Sequence, residues 1–174
     1  MPTSTAVSVE EYLRTTYEPD MEYVDSQLVE RHVGEYFHSR MQFLIAQALG
    51  ARERVRRFRV FTEQRIRVSA APRYRIPDIC VKALPHEVTS ILEQPDLVVE
   101  VLSPDDRAGD MIEKFADYQQ AGIQYIWIID PYGKKVFELG SSGIQKVAGP
   151  VLHTDLTGDL DFAQLFEEID EPAE

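Results

Sequence analysis

The sequence has little of what holds secreted or membrane-spanning proteins together. Its 174 residues include a single cysteine, Cys80, which excludes an internal disulfide bond and a metal cage of cysteine thiolates. No apolar run approaches the roughly 20 residues that a membrane-spanning helix needs. The first residues also lack the basic patch and apolar run of a secretory signal. We therefore expect no membrane partner. A single cysteine also suits the cytoplasm, where thiols stay reduced, so we expect a cytoplasmic protein.

Several motifs for cofactor binding and catalysis are also missing. The chain has neither a Gly-x-Gly-x-x-Gly pattern nor a P-loop, so a nucleotide cofactor is not expected. Ser103 does not stand in a Gly-x-Ser-x-Gly elbow, which argues against a nucleophilic serine. His32, His86 and His153 do not have the spacing of zinc ligands.

Positive charge is scarce overall and is concentrated in one segment. The net charge is −12, which disfavours nucleic-acid partners. Nine arginines nevertheless lie between Arg52 and Arg75, where only two glutamates oppose them. Such a segment either contacts the phosphates of DNA or pairs with acidic neighbours inside the fold, and the sequence leaves both interpretations open.

The length and the hydrophobic spacing predict one domain with a mixed sheet. We assign residues 1–174 to a single domain with a core of about 20–170, because no repeat or linker interrupts it. Predicted helices cover 8–17, 35–51, 110–121 and 161–169, and predicted strands cover 57–68, 76–82, 96–102 and 124–130, with hairpins at 21–31 and 134–148. The strand at 57–68 changes phase near Glu63, which indicates a bulge or a turn.

Residues 96–130 have the order strand, helix, strand. This order predicts a βαβ unit with two parallel strands, whereas short connections before it predict antiparallel strands. An acidic tail follows the last predicted helix. The expected fold class is therefore α/β (α+β), with a mixed β-sheet flanked by helices.

Two carboxylates interrupt apolar strands. Glu100 lies in LVVEVL, and Asp78 follows Pro77 at the start of the preceding apolar strand. A buried carboxylate costs several kcal/mol unless a cation or hydrogen bonds offset it. If the two strands are neighbours, Asp78 and Glu100 converge, and two carboxylates with water and phosphate oxygens suit Mg²⁺. Each residue taken singly also fits a structural carboxylate.

A positive group near such a site would offset charge that develops on a phosphate. Lys114 is the candidate, because its helix follows the Glu100 strand after a short loop. Asp110 and Lys114 are four residues apart, so they also fit an ordinary surface pair of a helix.

Two longer runs add a family resemblance. RIPDICV and DLVVEVLSPDDRAGDMIEKFADYQQAGIQYIWIIDP resemble the Uma-type endonucleases, long known as a domain of unknown function. That family belongs to the restriction-endonuclease-like PD-(D/E)xK superfamily. The resemblance covers roughly Glu22 to Asp161 and implies a restriction-endonuclease-like fold.

The resemblance also implies a set of site residues. Asp78 matches the acid of the Pro-Asp element, and Glu100 matches the acid of the (D/E)xK element. Leu102 stands where that element has lysine, so the lysine function would fall to Lys114 on the following helix. Such sites often include an N-terminal acid, for which Glu22 and Glu30 are the options and Glu30 is preferred. His38 resembles a recurrent family histidine and is a further candidate, although a single helix histidine also fits a structural role.

Two functions follow from this interpretation. The first is a metal-dependent endonuclease that hydrolyses phosphodiester bonds of DNA, with Asp78 and Glu100 binding Mg²⁺ or Mn²⁺ and Lys114 assisting the water or the transition state. DNA would bind through the Arg52–Arg75 segment. The second is a catalytically inactive nuclease-fold protein with a binding or regulatory role, which the acidic charge favours. A third interpretation is a structural dimer module. A homodimer is expected, because the resemblance implies apolar hairpin surfaces that favour one.

Overall fold

The computed structural model describes residues 7–31 and 34–170. The helices are α1 (Val9–Arg14), α2 (Tyr36–Gly50), α3 (Glu53–Arg56), α4 (Ala108–Gln120) and α5 (Phe162–Asp170). The strands are β1 (Met21–Val24), β2 (Gln27–Glu30), β3 (Phe58–Thr62), β4 (Ile66–Arg67), β5 (Tyr74–Arg75), β6 (Ile79–Ala83), β7 (Leu92–Glu93), β8 (Leu97–Val101), β9 (Tyr125–Asp130), β10 (Lys135–Gly140), β11 (Gly143–Lys146), β12 (Val151–Thr154) and β13 (Gly158–Asp161).

The central sheet has six strands in the order β11-β10-β9-β8-β6-β3. Strands β8 and β9 are parallel and are joined by α4, whereas the other neighbours in this sheet pair antiparallel. A parallel pair needs a crossover connection, and the helix provides it. The predicted mixed sheet with a βαβ unit is therefore confirmed, and β6 and β8 are neighbours as the site prediction requires.

A second sheet of five strands, in the order β2-β1-β5-β4-β7, lies beside the first in the fold. Its β1–β2 hairpin turns at Asp25 and Ser26, which both have positive φ, as a two-residue hairpin turn requires.

Ser8 accepts a hydrogen bond from the backbone N–H of Glu11 and so caps α1, as the sequence predicts.

Alternating side chains of the central sheet fill two apolar layers. Leu97, Val99 and Val101 pack towards α2 and α5, whereas Val98 packs with Phe115 of α4 on the other side. The central strands are thus covered on both faces, which explains their nearly continuous apolar sequence. Glu100 projects from β8 between such apolar neighbours.

Two sequence predictions need correction, and several short elements were not predicted. Residues 57–68 do not form one strand, because Glu63 adopts positive φ and the chain passes from β3 in one sheet to β4 in the other. The predicted helix over 8–17 ends at Arg14. Strands β5 and β7 were not predicted, because two residues are too few to leave a periodic pattern. Helix α3 and the β12–β13 hairpin are also additional.

The acidic tail at 171–174 lies outside the described residues. Among the residues that are described, no helix is long and apolar enough to cross a membrane.

Candidate active site

Asp78 lies directly before β6, with its carboxylate against β8. Its Oδ2 atom accepts a hydrogen bond from the backbone N–H of Val101 at 2.8 Å and lies 3.3 Å from Nε2 of His38. Its Oδ1 atom accepts a hydrogen bond from Nη2 of Arg31 at 2.8 Å. Burial raises the pKa of Asp78, but the hydrogen bond and charge of His38, with Lys114 and Arg31, outweigh it and lower the pKa to about 2.

Glu100 lies in the middle of β8, and its carboxylate is buried. Oε2 accepts a hydrogen bond from Nζ of Lys114 at 3.0 Å, and Oε1 accepts one from the hydroxyl of Tyr118. Burial is the main cause that raises the pKa of Glu100 to about 7; Asp78 adds to it, and Lys114 and Tyr118 oppose it. The two carboxylates therefore differ, since Asp78 is ionised well below neutrality and Glu100 titrates near it.

Helix α4 supplies both donors to Glu100. Lys114 and Tyr118 are four residues apart, so they project from the same face of the helix. Nζ of Lys114 also lies 3.3 Å from Oε1 of Glu22. Burial lowers the pKa of Lys114, but Glu100 and Glu22 outweigh burial and raise it, so the ammonium stays charged. Lys114 pairs with these two acids rather than with Asp110.

Glu22 and Arg75 connect the site to the second sheet. Glu22, on β1, accepts hydrogen bonds from the backbone N–H of Ile76 and from Nη1 of Arg75, each at 2.9 Å. Nε of Arg75 donates to Asp117 of α4 at 2.6 Å. Burial raises the pKa of Glu22, but Lys114 and Arg75 outweigh it and lower the pKa. This buried network fixes β1, β5 and α4 around the carboxylates.

His38 lies in the first turn of α2 and is nine-tenths buried. Burial lowers its pKa, but the hydrogen bond and charge of Asp78 outweigh burial and raise it. Its Nδ1 atom has no hydrogen-bond partner among the described residues. A Cβ atom at Gly34 would lie 2.7 Å from that nitrogen, so only glycine allows the chain to pass here without a shift.

These side chains line one open pocket. Its wall contains Glu22, Arg31, His38, Arg75, Asp78, Glu100 and Lys114, and its lining also includes Glu30, Ser103, Asp106 and Asp110. The structure thus brings the predicted residues Asp78, Glu100, Lys114 and His38 together. Glu30 is exposed, whereas Glu22 is buried and contacts Lys114, so the geometry favours Glu22 over the preferred Glu30.

Three residues of the site were not singled out for it from the sequence. Tyr118 could have been found, because its spacing of four residues from Lys114 places it on the same helix face. Arg31 and Arg75 could not, because their contacts join residues 47 and 53 positions apart in the chain. Arg75 lay within the arginine-rich segment, but nothing in that segment marks it as the buried member.

The Arg52–Arg75 segment does not form one basic face. Arg73 and Arg75 pair with acids of the network around α4. Arg52 donates to the backbone carbonyls of Thr157 and Asp159 in the β12–β13 hairpin, and Arg65 lies over the ring of Tyr12. The arginines that remain exposed are Arg54, Arg56, Arg57 and Arg59, on or beside α3. The pairing interpretation thus applies to part of the segment, and contact of the exposed arginines with DNA phosphates stays a prediction.

The donor set fits a hard divalent cation. No group of three or more histidine, cysteine or acidic residues forms a metal cage in the described part of the chain. Mg²⁺ does not need such a cage, since one or two carboxylates with waters and phosphate oxygens are enough. Asp78 and Glu100 line the same pocket, and a carboxylate oxygen has two acceptor positions. Donors from residues 7–31 and 34–170 take both positions on Oδ2 of Asp78, but only one each on its Oδ1 and on the two oxygens of Glu100.

Comparison with known proteins identifies the fold and the family. Over 94% of this chain and 99% of the other, the structure matches the crystal structure of "a putative nuclease belonging to DUF820 from Anabaena variabilis ATCC 29413", with a TM-score of 0.80 and 23% identity. The fold is restriction-endonuclease-like. The sequence model of the Uma2 family, described as "Putative restriction endonuclease", matches residues 9–157, and the chain belongs to this family.

Other comparisons add less. A cryo-EM structure of a DrdV–DNA complex is similar over 80% of this chain but only 12% of that chain, with 19% identity. Its TM-score of 0.44 is too low to carry an argument. No curated protein sequence matches the chain.

Proposed function

We propose that this protein is a divalent-metal-dependent endonuclease that hydrolyses phosphodiester bonds of DNA. Membership of the Uma2 family supports nuclease chemistry. The observation that carries the proposal is the convergence of two buried carboxylates and a largely buried lysine on one pocket, with Nζ of Lys114 3.0 Å from Oε2 of Glu100.

In this proposal, Asp78 and Glu100 hold Mg²⁺ or Mn²⁺. The bound metal would polarise the phosphodiester and lower the pKa of a bound water. Lys114 keeps its positive charge beside Glu100, so it can stabilise negative charge on the phosphate or orient the attacking water. Glu22 positions Lys114 from the other side.

His38 contacts the carboxylate of Asp78 through its Nε2 atom. Its contact lowers the pKa of Asp78, so that acid is ionised throughout the neutral range. Glu100 becomes fully ionised only above about pH 7. Cation binding by the pair is therefore expected to strengthen as the pH rises through neutrality.

DNA binding through the exposed part of the Arg52–Arg75 segment is part of the same proposal. His38 lies near the start of α2, and this segment begins just after its end, about 20 Å away along the helix axis. A duplex that contacts both would run along α2. If so, replacing Arg54 and Arg57 with glutamine makes the slope of log affinity against log salt shallower, by roughly one for each phosphate that these arginines neutralise.

Cleavage of plasmid DNA with Mg²⁺, with Mn²⁺ and with EDTA tests the catalytic assignment. We expect Asp78→Ala and Glu100→Ala to reduce cleavage at least about 100-fold. Glu87→Ala removes an exposed acid outside the pocket and serves as the matched control. Undiminished cleavage by both site variants would refute the assignment.

A catalytically inactive nuclease-fold protein with a binding or regulatory role is the second candidate. Two observations favour it: all four oxygens of Asp78 and Glu100 already have protein donors, and the net charge of −12 opposes DNA. Calorimetric titration with Mg²⁺ separates the two. No binding at millimolar metal, together with no cleavage, supports the second candidate.

The homodimer and the cytoplasmic location stay predictions. Sedimentation analysis tests the homodimer.

A further inference from the structure

Arg31 occupies one of the two oxygens of Asp78. The Oδ2 atom is held by the backbone N–H of Val101, which is fixed in β8, and by His38. The Oδ1 atom, among the contacts of the described residues, is held by Arg31 alone, at 2.8 Å. Both side chains are largely buried, so this contact is screened little by solvent. A cation that binds Asp78 therefore meets a guanidinium already in place.

The buried charges around Asp78 and Glu100 do not accommodate both cations. Glu22, Asp78, Glu100 and Asp117 carry four negative charges when ionised, and Lys114 and Arg75 carry two positive charges between them. A divalent cation brings this set to neutrality when His38 is neutral. Arg31 would then add a positive charge beside the metal that this buried set does not compensate, and the largely buried contact with Asp78 screens the repulsion little.

Arg31 also has a second acid within reach. Its Nη1 atom lies 3.8 Å from Oε1 of Glu63, whose side chain is half exposed. Arg31 directly follows β2, at the end of the hairpin, and an arginine side chain has several rotatable bonds. The guanidinium can therefore leave Asp78 without losing every acidic neighbour. Lys114, by contrast, projects from helix α4 and lies between two buried acids, Glu22 and Glu100.

We infer that Arg31 is displaced from Asp78 by the divalent cation and then binds a phosphate of the substrate. A guanidinium presents a planar fork of N–H donors that matches phosphate oxygens, and the wall of the pocket puts this fork beside the carboxylates. The inference rests on the proposed function, because it takes the metal and the phosphodiester from it. It makes Arg31 both a competitor of the metal and a substrate-binding residue.

The first test measures Mn²⁺ affinity by calorimetry. Arg31→Gln removes the competing charge, so we expect it to bind Mn²⁺ at least tenfold more tightly than the unmodified protein, a gain of about 1.4 kcal/mol. Arg14→Gln removes an exposed arginine of α1 that does not line the pocket, and we expect it to change nothing. Equal or weaker binding by Arg31→Gln overturns the inference.

The second test measures binding of a fluorescently labelled DNA duplex by anisotropy. With saturating Ca²⁺, a hard oxygen-preferring cation, Arg31→Gln should weaken binding at least fivefold. In EDTA the guanidinium is engaged by Asp78, so the same substitution should have little effect. Equal weakening with and without Ca²⁺, or none in either, overturns the phosphate-binding part. Gel analysis of the same samples shows whether the duplex stays intact.

The two tests separate this inference from the proposed function. If the unmodified protein binds Mn²⁺ and cleaves DNA while Arg31→Gln gains no affinity, only the inference fails. If neither protein binds Mn²⁺, the metal site of the proposed function fails and the inference fails with it. Arg31→Met is measured in parallel, so that the result does not depend on one substitution. The fluorescence of Trp127, the single and fully buried tryptophan, reports whether each variant is folded.

Discussion

The Nζ atom of Lys114 lies 3.0 Å from Oε2 of Glu100, and this contact links the crossover helix to the strand that it follows. Strand β8 buries Glu100 between apolar neighbours, and α4 returns over the same strand with its lysine. The restriction-endonuclease-like (D/E)xK element would carry this lysine on the strand at position 102, where this chain has leucine. Here the ammonium reaches the carboxylate from a helix, fourteen residues further along the chain.

Replacing Lys114 tests whether this contact serves catalysis. Lys114→Met removes the positive charge and keeps most of the apolar stem, so we expect DNA cleavage in Mg²⁺ to fall at least about 100-fold. The pKa of Glu100 should also rise further, because Lys114 lowers it in the unmodified protein. Plasmid cleavage at several pH values measures both effects.

Lys146→Met is the matched control for this substitution. Lys146 is exposed on the edge strand β11 and does not line the pocket of the carboxylates. We expect its loss to leave the cleavage rate unchanged. A Lys114→Met protein that is folded and as active as the control would remove Lys114 from the proposed mechanism.

The raised pKa of Glu100 predicts a pH-dependent stability in the metal-free protein. Burial raises this pKa from 4.5 to about 7. Between these values the folded state binds more protons than the unfolded state. The stabilising contribution is therefore complete below pH 4.5 and is lost as the pH rises through 7.

Glu100→Gln cannot titrate, so it isolates this effect. We expect the stability of the unmodified protein relative to Glu100→Gln to fall by about 2–3 kcal/mol between pH 5 and pH 8. Urea unfolding in EDTA, followed by the fluorescence of Trp127, measures the difference. A difference that does not change over this range would show that Glu100 does not titrate there.

The sequence predicted the parts of the site that lie on regular elements. Asp78 and Glu100 stand out because charges interrupt apolar strands, and the βαβ order of residues 96–130 places Lys114 above them. These signals are local, since each depends on residues a few positions apart or on the order of strong elements.

The rest of the site depends on contacts between distant segments. Glu22 and Glu30 both belong to the β1–β2 hairpin, and sequence alone does not tell which acid is buried against Lys114. The two-residue strand β5 determines it, because β1 pairs with β5 and so brings Glu22 next to Arg75. Strands this short leave no periodic pattern in a sequence. The second sheet was therefore missed, and Glu30 was preferred.

The hydroxyl of Tyr118 predicts a second stability effect that depends on pH. It donates a hydrogen bond to Oε1 of Glu100, and a bond to an ionised acceptor is worth more than a neutral one. We expect Tyr118→Phe to destabilise the protein by about 1–3 kcal/mol at pH 8, where Glu100 is ionised, and by less at pH 5. Urea unfolding at the two pH values measures this.

Tyr132→Phe is the control, because the hydroxyl of Tyr132 donates to the exposed Glu35 at 3.2 Å. We expect that variant to change stability by no more than about 0.5 kcal/mol at either pH. If the cost of Tyr118→Phe were the same at both pH values, the hydroxyl would not distinguish the two states of Glu100.

Arg75 predicts the largest structural effect, because it is buried between acids of two elements. Its guanidinium donates to Glu22 of β1 at 2.9 Å and to Asp117 of α4 at 2.6 Å. Arg75→Met would remove one cation from each of two buried carboxylates, leaving Glu22 with Lys114 and Asp117 with Arg73. Removing one partner of a buried pair costs about 3–5 kcal/mol.

Arg59→Met provides the comparison for Arg75→Met. The side chain of Arg59 is 46% exposed, and its ion pair with Glu53 spans 3.8 Å. A surface pair of this kind contributes at most about 1 kcal/mol. Urea unfolding at pH 7 therefore should separate the two variants clearly. Similar losses would mean that Glu22 and Asp117 are stabilised by solvent or by other donors, and that Arg75 does not hold the second sheet against α4.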